Sequence, residues 1–109
     1  MAQISELLGR NIELIKAELK KEYGPQAKIG SVTKPDPSIS ITLRKPGSPD
    51  GQISYFTTFN LTQGTTYKCI IAEGSSTGKK LFEDDIQLDD NFVKNTTQFI
   101  KTSLSAAQT

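Results

Sequence analysis

The chain has 109 residues, of which 35% are hydrophobic and 23% are charged, and its formal net charge is +1. This length suits one domain with a modest core over residues 1–109, and the composition is neither that of a disordered chain nor that of a membrane protein. A net charge so close to zero gives no general attraction to nucleic acid or to anionic lipid.

The first predicted element is an amphipathic helix over residues 4–23. Its apolar residues recur every three or four positions and form one broad stripe, with Leu14 at the edge of the stripe. Gly24 and Pro25 follow the stripe and end the helix. We expect the stripe to pack on the rest of the domain, and a docking helix or the end of a coiled coil is the alternative. The stripe consists of Ile4, Leu7, Leu8, Ile12, Ile15, Leu19 and Tyr23.

Residues 26–37 are ambiguous. Ile29 and Val32 permit a short edge strand, and Pro35 and Pro37 prevent a long one because proline cannot donate to a strand ladder.

Residues 38–88 predict a run of about four antiparallel strands. Apolar and polar residues alternate in four segments, which is the pattern of strands buried on one face. Short connections rich in turn-forming residues separate the segments and favour a meander, in which each strand pairs with the next. The predicted strands cover 38–44, 52–61, 65–72 and 79–88. The residues predicted to face the core are Ile39, Ile41, Leu43, Ile53, Tyr55, Thr57, Phe59, Leu61, Tyr67, Cys69, Ile71, Phe82 and Ile86.

A second amphipathic helix is predicted over residues 89–104. Asp89 or Asp90 is suited to cap its first turn, and Leu88 is suited to a hydrophobic contact just outside it. Its apolar stripe consists of Phe92, Val93, Thr96, Phe99, Ile100 and Leu104. Together the elements predict an α+β fold, a two-layer sandwich with an antiparallel sheet of about four strands and both helices on one face.

The other face of the predicted sheet is mostly polar, and Phe56 and Ile70 are its apolar exceptions. Such a face can meet water, a partner subunit or a nucleic acid. Its residues are Ser38, Ser40, Thr42, Arg44, Ser54, Phe56, Thr58, Thr66, Lys68 and Ile70.

The composition excludes several kinds of catalytic site. The chain has no histidine and one cysteine, Cys69, so it cannot form a Ser-His-Asp triad or an intramolecular disulfide, and an ordinary zinc site is nearly excluded. The glycine-rich loop over residues 74–80 is one residue short of a phosphate-binding loop and joins two strands. The acidic residues over 83–90 lack the spacing of a calcium loop. We therefore predict that the chain is not an enzyme of a common class and holds no cofactor or metal.

Two stretches resemble the larger Alu-domain subunit of the signal recognition particle. The stretch SISITLRK at 38–45 is similar to the first strand of that family, and YKCII at 67–71, followed by Gly78, Lys79 and Lys80, is similar to its second strand and basic hairpin. In that family the sheet of a heterodimer grips folded RNA through basic residues. The resemblance implies RNA contacts at Arg44, Lys45, Lys68, Lys79 and Lys80.

The order of helix, strands and helix, with the end NTTQFIKTSL, also resembles the globular heads of kinetochore linker subunits, which are RWD-like domains. In those heads a coiled coil enters a small sheet and a helix closes it.

The near-zero charge and the apolar residues Phe56 and Ile70 favour protein binding over RNA binding. We predict a non-catalytic protein-interaction module, a subunit of a complex that pairs with a protein partner or with itself through its sheet or its N-terminal helix. An RNA-binding subunit of a ribonucleoprotein is the alternative, and an RWD-like kinetochore head is a further one. The start of the chain lacks the features of a secretory signal and no apolar run is long enough to span a bilayer, so a cytoplasmic protein without membrane contact is expected.

Overall fold

The computed structural model describes residues 2–32, 37–44, 47, 51–75 and 78–107, with the side chains of all of these except residues 2–7 and 26. Within these residues the chain has an α+β fold with two α-helices and one antiparallel sheet. Its elements in chain order are α1 (Ala2–Tyr23), β1 (Lys28–Val32), β2 (Ser38–Arg44), β3 (Gln52–Gln63), β4 (Thr66–Glu73), β5 (Lys79–Gln87) and α2 (Phe92–Ala107), with a short 3-10 turn at Gly24–Gln26 after α1.

The sheet has five strands in the order β1-β2-β3-β4-β5, one strand more than the sequence pattern predicts. The additional strand is β1, which pairs antiparallel with β2 from Lys28 opposite Thr42 to Val32 opposite Ser38. Its one apolar residue against the core is Ile29, so its sequence shows almost no alternation to recognise. Pro37 directly precedes β2, and Pro35 lies outside the described residues.

The predicted alternation is confirmed in the three central strands. Over most of β2, β3 and β4 every second residue is buried and the residues between them are partly exposed. The buried set consists of Ile39, Ile41, Leu43, Tyr55, Thr57, Phe59, Tyr67, Cys69 and Ile71. Leu61 is an exception to the prediction. It is 51% exposed and lies beside the register shift between Leu61 and Gln63, at the end of β3.

The apolar stripe of α1 packs into the core as predicted. Leu8, Ile12, Ile15 and Leu19 are buried, whereas Leu14 at the edge of the stripe is 57% exposed. The side chains of the predicted stripe residues Ile4 and Leu7 lie outside the described part of the chain. Gly24 ends the helix with a φ of 63°, a left-handed conformation that glycine adopts without steric cost.

Helix α2 begins at Phe92, three residues later than predicted. The carboxylate of Asp89 accepts a hydrogen bond from the N–H of Asn91 at 2.8 Å, and the Asp89 carbonyl accepts one from the N–H of Phe92 at 3.1 Å. Asp89 therefore closes a turn that leads into the helix, and its side chain does not cap a helical N–H. Leu88, just before this turn, is buried as predicted.

Phe92 joins α2 to the centre of the sheet. Its side chain is fully buried, and its ring lies 6.2 Å from the rings of both Phe59 and Tyr67, which belong to β3 and β4. Tilted and edge-on arrangements at this separation are favourable for aromatic pairs. At the far end of α2 the Lys101 ammonium forms an ion pair with Glu22 of α1 at 3.0 Å. One core cluster thus contains residues of both helices and of the sheet.

Two hydroxyls of α2 are buried without a hydrogen bond. Thr96 is fully buried and Thr97 is 9% exposed, and neither side-chain oxygen has a partner among the residues that the structure describes. A buried hydroxyl without a partner loses its hydration and gains nothing in return.

Leu104→Ala tests the packing of α2. The Leu104 side chain is 1% exposed, so its truncation should lower the free energy of unfolding by roughly 2 to 5 kcal/mol. Leu14→Ala, at a 57% exposed position of α1, is the matched control and should change it by less than about 0.5 kcal/mol. Urea denaturation curves measure both values, and equal curves for the two variants would contradict the core described above.

Thr96→Val should stabilise the protein. Valine has nearly the shape of threonine and removes the partnerless hydroxyl, so we expect a gain of roughly 1 kcal/mol and a melting temperature a few degrees higher. Thr102→Val on the exposed side of the same helix is the control, because the Thr102 hydroxyl accepts a hydrogen bond from Gln98 at 3.1 Å. A gain in melting temperature for the control alone would contradict the assignment.

Candidate interaction surface

The outer face of the sheet is formed by the strand residues that alternate with the core set. Antiparallel pairing places one residue of each strand side by side across this face. One such row, the Phe56 row, consists of Gly30, Ser40, Phe56, Ala72 and Lys80. The next row, the Ile70 row, consists of Val32, Ser38, Thr58, Ile70 and Glu83.

The two predicted partner-binding residues, Phe56 and Ile70, lie close together on this face. Phe56 is opposite Ala72, and Ile70 is two residues before Ala72 on the same strand, so the two are diagonal neighbours. Diagonal residues in an antiparallel pair are about 7 to 8 Å apart, which large side chains can bridge. Both side chains are partly exposed, while Ala72 beside them is almost fully buried.

The positions of both rows on β1 to β4 are uncharged, and most of the polar groups around Phe56 are hydroxyls. Thr42 and Ser54 lie opposite each other one row away, and their hydroxyl oxygens are 2.8 Å apart in a partly buried hydrogen bond. A hydroxyl that already has a partner on its own surface loses less when a binding protein removes its water. The centre of the outer face is therefore suited to a dry contact.

Charged residues lie on the β5 side of the outer face. The Lys80 ammonium contacts the Glu83 carboxylate at 3.2 Å, and these two residues end the Phe56 row and the Ile70 row. Lys68 of β4 lies opposite Asp85 of β5. Opposite charges in such cross-strand positions attract each other.

The predicted RNA-binding residues are distributed over the sheet. Arg44 ends β2 and Lys79 begins β5, at the same end of the sheet. β3 and β4 lie between these two strands, whose axes are roughly 14 Å apart at the usual strand spacing. Lys80 is next to Lys79, whereas Lys68 is four residues along β4 from the partner of Lys80. Lys45 lies outside the described residues.

Both edges of the sheet carry features that discourage strand addition. β1 is only five residues long. Directly after β5 the N–H of Leu88 donates to the carbonyl of Thr65, on the β4 side. Successive residues of a strand point to opposite sides, so the N–H of Asp85, three residues earlier, points out of the sheet. That N–H donates to the carboxylate of Asp84 at 2.9 Å. Short edge strands, edge charges and bulges are the usual protections of exposed edges.

A bulge in β5 determines which of its residues reach the outer face. The pairing shifts between Ile71 and Ala72, so Ile71 is opposite Phe82 and Ala72 is opposite Lys80. Leu81 is the additional residue, and both Leu81 and Phe82 pack against the core. Strict alternation from Phe82 would place Lys80 on the core side, and the bulge places it on the outer face instead.

A groove of about 450 Å³ runs between β5 and α2. Asp84 and Asp85 line one wall and Asn95 and Gln98 line the other, with Phe99 as an apolar part of the lining. No group of three or more histidine, cysteine, aspartate or glutamate residues suited to a metal ion occurs within the described ranges. The glycine-rich loop before β5 connects two strands, and its residues 76–77 are among those not described.

Cys69 is a core residue and has none of the properties of a nucleophile. Its side chain is fully buried between the neighbouring strands. Burial, together with the negative charges of Asp84 and Asp85, raises the pKa of the thiol to about 12. The reactive form of cysteine is the thiolate, so this environment suppresses its reactivity.

No protein-family model, curated protein or solved structure matches the chain. The geometry alone therefore defines the class, an α+β fold with one antiparallel sheet of five strands and two helices in the described part of the chain. Neither α1 nor α2 combines the length and the apolar character that a bilayer span requires.

Cys69 should react with a thiol reagent only after unfolding. At pH 8 we expect slow modification of the folded chain and rapid modification in urea. An aromatic disulfide reagent measures both rates through the absorbance of the thiolate that it releases. The raised pKa also gives a pH dependence. The contribution of the neutral Cys69 thiol to the free energy of unfolding is complete below the ordinary cysteine pKa of 9.0 and is lost as the pH rises toward about 12.

Cys69→Ala should therefore reduce the fall in the free energy of unfolding above pH 9. Part of the fall should remain, because burial also raises the pKa of Tyr67. Rapid modification of the folded chain at pH 8 would show that the thiol is accessible and would contradict this assignment.

Proposed function

We propose that the chain is a non-catalytic protein-interaction module that acts as a subunit of a complex and binds its partner through the outer face of the sheet. In this proposal the fold is a two-layer sandwich in which both helices cover the core face and leave the outer face open. The observation that supports it most directly is the adjacent placement of Phe56 and Ile70 in an uncharged surface.

The chemistry of this surface suits a protein partner. Burial of apolar area drives association, and the cores of protein interfaces are enriched in aromatic residues and depleted of charge. Phe56 and Ile70 supply the apolar area, and the hydrogen-bonded hydroxyls of Thr42 and Ser54 lower the loss on removal of water. The ion pair of Lys80 and Glu83 gives the surface a charged margin.

RNA binding makes a different demand on the same sheet. Phosphate contacts need several cations within reach of one backbone, and their affinity falls steeply with salt because counterions are released. Lys80 contacts Glu83, and Lys68 is opposite Asp85. Two of the basic residues predicted to bind RNA therefore have an acidic residue beside them. Apolar contact through Phe56 and Ile70 is much less sensitive to salt.

Capture of partners from cell extract tests the proposal. The immobilised chain should retain protein partners at low and moderate salt, with and without ribonuclease, and Phe56→Ser should abolish this retention. Leu14→Ser is the matched control, because Leu14 is an exposed apolar residue on α1 and should leave retention unchanged. Circular dichroism melting confirms that both variants are folded.

Partners that disappear after ribonuclease treatment would overturn this proposal in favour of RNA binding. Retention that survives Phe56→Ser but is lost with Leu14→Ser would place the contact on α1 and would also overturn it.

A further inference from the structure

We infer that the outer face binds a second copy of this chain, face to face, about a two-fold axis that lies across the strands between the Phe56 row and the Ile70 row. This inference rests on the proposed function and names the partner of the same surface. The two-fold axis reverses the strand direction and keeps the strand order, so each residue of one row faces the residue of the other row on the same strand of the partner copy. Two sheets stacked in this way pack with their strands nearly aligned.

The two rows are complementary in size. Val32 is 50% exposed, and the axis places it over Gly30 of the second copy, which has no side chain of its own and is flanked by the Ser40 hydroxyl. Ile70 faces the small Ala72 in the same way, and Phe56 faces Thr58. On β2 the facing pair is Ser38 and Ser40, which are both small and uncharged. Each large residue of one copy thus meets a smaller one of the other.

The two rows are also complementary in charge. Lys80 ends the Phe56 row and Glu83 ends the Ile70 row, so each lysine faces the glutamate of the other copy. The axis produces this contact twice. Within one chain Lys80 and Glu83 already lie 3.2 Å apart, with 55% and 43% of their side chains exposed, so both are accessible to a second copy. The remaining positions of the two rows carry no charge, which leaves no like-charge pair between these rows.

The area of the face is close to what a stable dimer needs. Five strands at about 4.8 Å spacing, with a mean length of about eight residues, give a face of roughly 650 Å². A standard protein interface buries about 800 Å² on each partner. A contact limited to Phe56 and Ile70 would be far smaller, so the whole face has to take part, and a second sheet of the same twist covers it most completely.

Sedimentation equilibrium tests the inference first. The unaltered chain should reach twice its monomer mass of 11.9 kDa as its concentration rises, and Phe56→Ser should weaken the association at least about tenfold. A chain that stays monomeric at millimolar concentration would overturn the inference.

Charge reversal then tests the arrangement. Lys80→Glu alone and Glu83→Lys alone should each weaken self-association about tenfold, because like charges then face each other across the axis. An equimolar mixture of the two variants should restore association to nearly that of the unaltered chain. In the mixed dimer the introduced glutamate of one chain faces the introduced lysine of the other, and the unchanged Glu83 of the first chain faces the unchanged Lys80 of the second. Within each variant the repulsion inside the chain remains, so restoration can come only from contact between chains.

The exposed pair Glu18 and Lys21 on α1 is the matched control, because it has the same spacing and opposite charges at 3.6 Å. Glu18→Lys and Lys21→Glu should leave self-association unchanged, alone and mixed. A mixture of the β5 variants that fails to associate, or a control pair that reproduces their behaviour, would overturn the two-fold arrangement.

The outcomes separate this inference from the proposed function. A monomeric chain that still loses its extract partners on Phe56→Ser would overturn self-association and leave the proposed protein-binding surface standing. A monomeric chain whose partners are unaffected by Phe56→Ser would overturn both.

Discussion

The fold depends on keeping one set of alternate strand residues away from water. Phe92 covers this set from the helix side, because its ring packs on Phe59 and Tyr67 and thereby holds α2 against β3 and β4. Successive residues of a strand point to opposite faces of the sheet, so each residue that is buried in the core places its two neighbours on the outer face. The identity of the outer face is therefore a consequence of core packing, and a register slip of one residue would bury its serines and threonines.

Patterns of short range were visible in the sequence, and those that depend on pairing were not. Strand β2 has the predicted bounds because SISITLR alternates without interruption and is followed by turn-forming residues. Strand β1 could be predicted only as an ambiguous short edge strand, because Ile29 is its one apolar contact with the core. The start of α2 was misplaced because Asp89 suits a turn before a helix as well as a helix cap.

The candidate surface could be predicted in composition but not in arrangement. Alternation alone assigns Phe56 and Ile70 to the outer face, and it says nothing about which residues of other strands lie beside them. That information resides in the turns and in the bulge of β5, where one additional residue moves Lys80 to the side of Glu83. Local hydropathy cannot reveal such a bulge, since it depends on how the β4–β5 hairpin closes.

The carboxylate of Asp84 on the outward N–H of Asp85 has a consequence for the size of any assembly. Growth of cross-β fibres requires an open ladder of donors and acceptors at a sheet edge, so that each added chain offers a new edge to the next. Here the long edge strand has one of its donors occupied by its own side chain and is interrupted by a bulge, and the opposite edge is only five residues long. Both edges therefore discourage sideways extension of the sheet, which opposes growth of this fold into fibres.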